Sequence, residues 1–207
     1  MKKIIFRSAL LIFIVLSMLI SLCTCNNKMP ELDDDLRDRF INLIEDSKEL
    51  NTIFFGAGLP VYYRDNEYSE RLGVYFNDEM LGYYRVNENS SYITIDSIKA
   101  AAEKVYSKEY LSALYETAFD GVMTGNDSAY LRFYDDGEWL YQNILANDFE
   151  LCERIYDYST MKIVKPSSDS YINVTVESYT LKNSERIEIT LSFVYENGSW
   201  FLDCPTY

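Results

Sequence analysis

Arg186-Ile187-Glu188-Ile189-Thr190-Leu191-Ser192-Phe193-Val194-Tyr195-Glu196-Asn197-Gly198-Ser199-Trp200-Phe201-Leu202 is the stretch on which the fold turns. Polar and apolar residues alternate from Arg186 to Tyr195, the period of a strand with one face in a core and the other in water. Asn197-Gly198 supplies the pair that tolerates positive φ in a tight hairpin. Trp200-Phe201-Leu202 then reads as the returning strand. An isolated hairpin is marginal in water, so this one needs a larger sheet to join.

The preceding residues supply it. Tyr171 to Tyr179 alternates like a strand, and 159–164 reads as another. Residues 130–134 and 138–141 flank Asp135-Asp136-Gly137, a second hairpin signal. A short strand is expected at Leu81-Gly82-Tyr83-Tyr84-Arg85-Val86.

Helical periods dominate the earlier half. Leu36, Phe40, Leu43, Ile44, Leu50, Ile53 and Phe54 recur as one helical stripe, which predicts a helix over 32–55. Asp33, Asp34 and Asp35 stand in its first turn, where the dipole favours acids. Gly56-Ala57-Gly58-Leu59-Pro60 ends it and reads as a C-cap; it follows a helix and carries no lysine, so it is not a phosphate loop. A second helix is expected to open at Asp96 as N-cap and run to about Tyr106. Ser107 caps a third, over 108–119, stopped by Asp120-Gly121. Helices first and antiparallel strands last predict an α+β fold, with N-terminal helices packed on a curved, mainly antiparallel sheet.

Residues 1–25 read as an export signal. Lys2, Lys3 and Arg7 precede an uncharged apolar run from Ala9 to Leu22, closed by Cys23 and Cys25. The outline is that of a bacterial lipoprotein signal. Leu22 lies three before Cys25 and the small Thr24 directly before it, so Cys25 is the favoured lipidation site and Cys23 the alternative. An uncleaved anchor or ordinary cleavage are the other readings. All of them place the folded part outside the cytoplasm, on a membrane or beyond it. Residues 26–35 then form an acidic tether and 36–207 a single α+β domain, large enough to bury a core.

Charge and composition exclude several function classes. Without Lys2, Lys3 and Arg7, 16 of the 19 basic residues remain against 33 acidic ones, a net charge of −17. Such a surface has little to offer nucleic acid, whose affinity rests on Lys and Arg, and none is expected as a partner. It suits a basic protein partner or cations. The chain has no histidine, which removes the commonest general base and any Ser-His-Asp or Cys-His triad. Beyond Cys23 and Cys25 only Cys152 and Cys204 remain, too few for a Cys/His zinc site. In an exported protein those two can form one disulfide that staples the terminal strand; two buried thiols are the other reading.

Phe193-Val194-Tyr195-Glu196-Asn197-Gly198-Ser199-Trp200-Phe201-Leu202-Asp203 resembles the closing hairpin of nuclear-transport-factor-two-like, or cystatin-like, domains. Tyr83-Tyr84-Arg85-Val86, Ser97-Ile98-Lys99 and Val105-Tyr106-Ser107-Lys108-Glu109-Tyr110-Leu111 look like a pattern in secreted proteins of Gram-positive bacteria, similar to the IseA-type inhibitors of cell-wall DL-endopeptidases. The resemblance implies a cystatin-like cone. It also implies an envelope interaction module that regulates or inhibits a peptidoglycan DL-endopeptidase by protein–protein contact, with no catalytic residue, cofactor or metal. The membrane would be reached only through the N-terminal anchor.

The alternative is a small-ligand-binding or pocket-enzyme domain on the same cone. Tyr83, Tyr84, Tyr134, Tyr141 and Tyr179 are its candidate lining, with Glu138 or Asp157 as the carboxylate; the same tyrosines read equally as half-buried sheet residues. Asn126-Asp127-Ser128 and Asp135-Asp136-Gly137-Glu138 offer oxygen atoms for calcium but lack the alternating pattern of a calcium loop, and turns use the same residues.

Overall fold

In the computed structural model, Asp33 opens the first helix. Its backbone is extended and its Oδ1 accepts from Leu36 N at 2.8 Å, satisfying one of the N–H groups that a helix start leaves open. The structure describes residues 30–62, 82–123, 129–144 and 151–207. Helix α1 (Asp34–Phe55) buries the expected stripe, with Phe40, Leu43 and Ile44 fully enclosed. Its C-terminal carbonyls have no basic residue of their own turn to meet them. The cap comes instead from Arg132, whose Nη2 donates to Gly56 O at 2.8 Å and, with Nε, reaches Ile53 O at 3.4 Å. Arg132 Nη1 donates to Asn143 O at 2.9 Å. Burial lowers the Arg132 pKa to about 10, which leaves the guanidinium charged at neutral pH, at the negative end of the helix dipole.

Strand β1 (Tyr83–Arg85) comes next, and then helix α2 (Ile95–Ala102). The cap of α2 is Thr94, not Asp96. Ser97 N donates to Thr94 Oγ1 at 3.1 Å, and Thr94 N to Ser97 Oγ at 3.2 Å, a reciprocal capping box. The helix ends at Ala102, short of the expected Tyr106. Ser107 caps α3 (Lys108–Tyr115), as its residue type suggested, accepting from Tyr110 N at 3.1 Å. The last turn widens into a π-helical turn, Glu116–Asp120, and Gly121 leaves it at φ 85°.

The remaining chain is β. Strands β2 (Val122–Met123) and β3 (Ala129–Tyr130) pair with each other. Strands β4 (Phe133–Asp135) and β5 (Leu140–Asn143) join β1 in a three-stranded sheet of order β1-β5-β4. Strands β6 (Arg154–Ser168), β7 (Tyr171–Thr180), β8 (Ile187–Glu196) and β9 (Ser199–Leu202) form a four-stranded meander in chain order. The pairing is antiparallel in all three groups, so the class is mixed α+β. Strand β6 is much longer than the expected 159–164, because its pairing to β7 resumes across a register shift between Asp157 and Lys162.

The opening stretch behaves as its alternation demands. Asn197 at φ 50° and Gly198 at φ 88° make the turn, and Tyr195 faces Trp200 across it. Leu191 and Phe193 point into the core. Phe40 of α1 stacks on Phe193 with centroids 3.8 Å apart and meets Trp200 edge-on at 5.6 Å. Burying a ring of this kind contributes about 1.5–3 kcal/mol, and truncating Phe40 to Ala would cost about 3–5 kcal/mol. Arg39 Nη2 donates to Trp200 O at 2.9 Å, and Arg37 Nη1 to Tyr158 O at 3.1 Å, fixing α1 over the meander.

Behind these rings lies a buried polar knot. Thr206 Oγ1 meets Ser47 Oγ at 2.6 Å and accepts from Asn51 Nδ2 at 2.7 Å. Tyr106 OH donates to Asn51 Oδ1 at 2.8 Å, and Tyr156 OH to Thr206 O at 2.6 Å. Burial raises the pKa of both tyrosines. The space between α1 and the meander is thus filled by apolar side chains and by this satisfied knot.

Candidate functional site

Strand register decides which of the candidate tyrosines can share a site. Arg85 pairs with Tyr141, and Tyr141 with Tyr134, so the three stand in one row on one face of the small sheet. Val61 bridges Val86 and Tyr62 N donates to Arg85 O at 2.9 Å, which extends the row to Tyr62. Tyr83 lies two residues along β1 on the same face, its ring 6.4 Å from that of Tyr134. Tyr84 pairs with Gln142 and is on the opposite face, and Tyr179 belongs to the meander. Three of the five candidates therefore come together on one face of the small sheet.

Residues outside the expected set complete this face. The Arg85 guanidinium lies 3.2 Å from the centre of the Trp139 ring and 5.6 Å from that of Tyr62. Arg85 is 5% exposed, and its buried Nε meets no acceptor among the described residues. Glu88 approaches its Nη2 at 3.6 Å and accepts from Tyr62 OH, a bond that holds the Glu88 carboxyl below its usual range. Trp139 and Tyr134 remain 36% and 39% exposed.

The carboxylate that meets Tyr141 is Asp136, two residues before the expected Glu138, which is exposed. Burial favours its neutral form, but N–H groups of Trp139 and Glu138, at 2.7 and 2.9 Å, outweigh that and keep its pKa low. The Tyr141 hydroxyl is pushed up to about 12 by burial and by Asp136. Asp135 Oδ1 accepts from Gly137 N at 2.8 Å, so this acidic turn spends its oxygens on its own backbone. Among the described residues no cluster of three or more His, Cys, Asp and Glu could hold a metal ion. Residues 126–128 lie outside the described residues.

Asp157, the other expected carboxylate, is in the meander. Its Oδ1 accepts from Ser159 Oγ at 2.6 Å and its Oδ2 pairs with Arg186 at 2.8 Å, and these two contacts lower its pKa. Arg186 also lies 5.8 Å from the Tyr179 ring. This Asp–Arg–Tyr group favours an ionised carboxylate, the opposite of what a general acid requires.

Two surface grooves flank the helices. The first, of about 310 Å³, runs between α1 and α2 and is lined by Glu45, Asp46, Glu49, Leu50, Tyr92 and Lys104, among others. Burial opposes ionisation of Glu45, but Lys48 Nζ at 2.7 Å and the Tyr158 hydroxyl lower its pKa. The second, of about 440 Å³, lies between α3 and the β8–β9 turn and is lined mainly by Tyr106, Leu111, Tyr115 and Phe201, with Lys108 and Glu196 at its rim.

The remaining expected positions are quickly placed. Cys23 and Cys25 lie outside the described residues. Cys152 and Cys204, for which a bridge and two separate thiols were both open, are free thiols here; Cys204 accepts from Ser192 N at 3.2 Å, and burial pushes its pKa up to about 11. Among the described residues no helix is long and apolar enough to cross a membrane. Gly56-Ala57-Gly58 is a C-cap, with Gly56 N donating to Thr52 O at 3.0 Å. Comparison of the chain with protein-family models and with curated proteins finds no match.

Proposed function

We propose that this chain is an exported, lipid-anchored envelope protein whose folded domain is a non-enzymatic interaction module. In this reading, α1 and the meander form a cystatin-like cone of the IseA-type family. Its partner is an envelope protein, in the sharpest version a peptidoglycan DL-endopeptidase that it inhibits. The observation that carries the reading is the acidic groove between α1 and α2, beside an interior filled by packed rings and the Thr206 knot. A groove with Glu45, Asp46 and Glu49 on one wall complements a basic partner loop, and electrostatic steering would speed its docking.

Titration of residues 27–207 into purified DL-endopeptidases, followed by hydrolysis of peptidoglycan fragments, tests this. Stoichiometric, salt-sensitive inhibition supports it, and Glu45→Lys/Glu49→Lys should weaken inhibition at least tenfold. Absence of both binding and inhibition would sink the inhibitor version. A second reading, a small-ligand domain, is favoured by the apolar groove lined by Leu111, Tyr115 and Phe201. It predicts that an apolar dye enters that groove and is displaced by Leu111→Trp.

A further inference from the structure

The outer face of the small sheet is costly in a way that packing alone does not account for. A guanidinium is buried with one nitrogen unsatisfied, against an indole that is itself more than one third exposed. Leaving such a donor unmatched is destabilising, and departures of this kind concentrate at functional sites. The arrangement has one clear geometric product. Arg85 covers one face of Trp139, so the exposed area of that ring lies on its other face and edge. The turn holding Trp139 is fixed from the other side, because Asp136 accepts from Trp139 N. Tyr134 is exposed on the same face, between Tyr83 and Tyr141 at centroid distances of 6.4 and 6.2 Å. The result is a solvent-facing pair of aromatic rings beside the carboxylates of Glu88, which meets Tyr62 and Arg85, and Asp136, which meets Tyr141.

We infer that this platform binds a neutral pyranose glycan. The chemistry selects that class by elimination. A cation would normally sit on an exposed indole face, but Arg85 lies against the opposite face and its charge offsets the ring's negative quadrupole. An anionic polymer would face these carboxylates and, among the described residues of this face, meet only a guanidinium that is buried. A neutral sugar meets neither penalty. The apolar C–H face of a pyranose lies flat on an aromatic ring, while its hydroxyls project sideways as donors. The carboxylates can only accept when ionised, which matches those donors. This inference goes beyond the peptidase reading and does not depend on it, because the acidic groove is built by α1 and α2 and the platform by β1, β4 and β5.

Calorimetric titration of the full chain, held in a polyoxyethylene detergent free of sugar, is the test. The probes are the tetrasaccharides of β-1,4-glucose, α-1,4-glucose and β-1,4-N-acetylglucosamine, with choline chloride and a lysine decapeptide as competing classes. The expected result is binding of at least one tetrasaccharide with Kd about 1 mM or tighter. Tyr134→Ala should weaken it about tenfold, the loss of one stacked ring, and Trp139→Ala should abolish it. Tyr134 is a surface ring, so its variant keeps the test valid if Trp139→Ala fails to fold. The inference is overturned if no tetrasaccharide binds, if Tyr134→Ala leaves binding unchanged, or if choline or the lysine peptide binds in preference to every sugar.

Discussion

Replacing Thr206 by Val isolates what the buried polar knot contributes. The two side chains are nearly equal in volume, so the change removes a hydroxyl without opening a cavity. Ser47 Oγ lies 2.6 Å from Ile44 O, which can only accept, so its single proton is committed there. Thr206 must therefore donate to Ser47 while accepting from Asn51 Nδ2. The variant loses both bonds and leaves the Asn51 amide, 3% exposed, with a buried unmatched donor. Two ordinary bonds at about 1 kcal/mol each, plus the orphan's desolvation, give about 2–4 kcal/mol. For a domain of this size that lowers Tm by about 4–16 °C. Thr206→Ser keeps the hydroxyl and forfeits one methyl, about 0.8 kcal/mol. Urea unfolding of the three proteins measures the differences. If Val and Ser variants were equally stable, the hydroxyl would contribute nothing and the knot would be mere packing.

Further expectations concern single positions. Gly58 sits at φ 81°, and a Cβ there would overlap the Gln142 side chain, whose Oε1 accepts from Leu59 N at 2.6 Å; Gly58→Ala should cost about 2–4 kcal/mol by urea titration, and a loss below about 1 kcal/mol would show that the approach relaxes easily. Alkaline pH should unfold the protein. Tyr141 has a pKa of about 12 folded against about 10 unfolded, so its stabilisation is complete below about pH 10 and lost as pH rises from there through about 12. Tyr106 and Tyr156 shift the same way, so phenolate absorbance should appear together with loss of circular dichroism and not before it. In residues 27–207, a thiol reagent at about pH 8 should modify Cys204 more slowly than Cys152, and denaturation should narrow the gap, because burial disfavours the Cys204 thiolate; equal rates in the folded protein would contradict that.

The parts of the fold written in short range were legible in the sequence. The β8–β9 hairpin is a local pattern with its own turn residues, and α1 and the Ser107 cap are equally local. The Asp96 cap failed because Thr94 and Ser97 form a reciprocal pair around it, a spacing visible in Thr94-Ile95-Asp96-Ser97. Tyr83 and Tyr84 were separable as well, since neighbours in a strand face opposite ways. What was not legible depends on partners far along the chain. Arg132 caps a helix 76 residues before it, and Asn51 meets Thr206 across 155 residues. Arg85 reads as an ordinary strand residue until Trp139 is laid against it.

One contact has a bearing on how the chain is made. Phe40 is covered by Phe193 and Trp200, and Arg39 bonds Trp200 across 161 residues. Closing a loop of that length costs about 4 kcal/mol of chain entropy before any contact returns it. During synthesis α1 emerges early, and although Phe54 meets Phe119 of the earlier half, Phe40 stays uncovered until β8 and β9 have followed. The contact between α1 and the closing hairpin is therefore available only once nearly the whole chain exists, which makes it a late, long-range step rather than a local one.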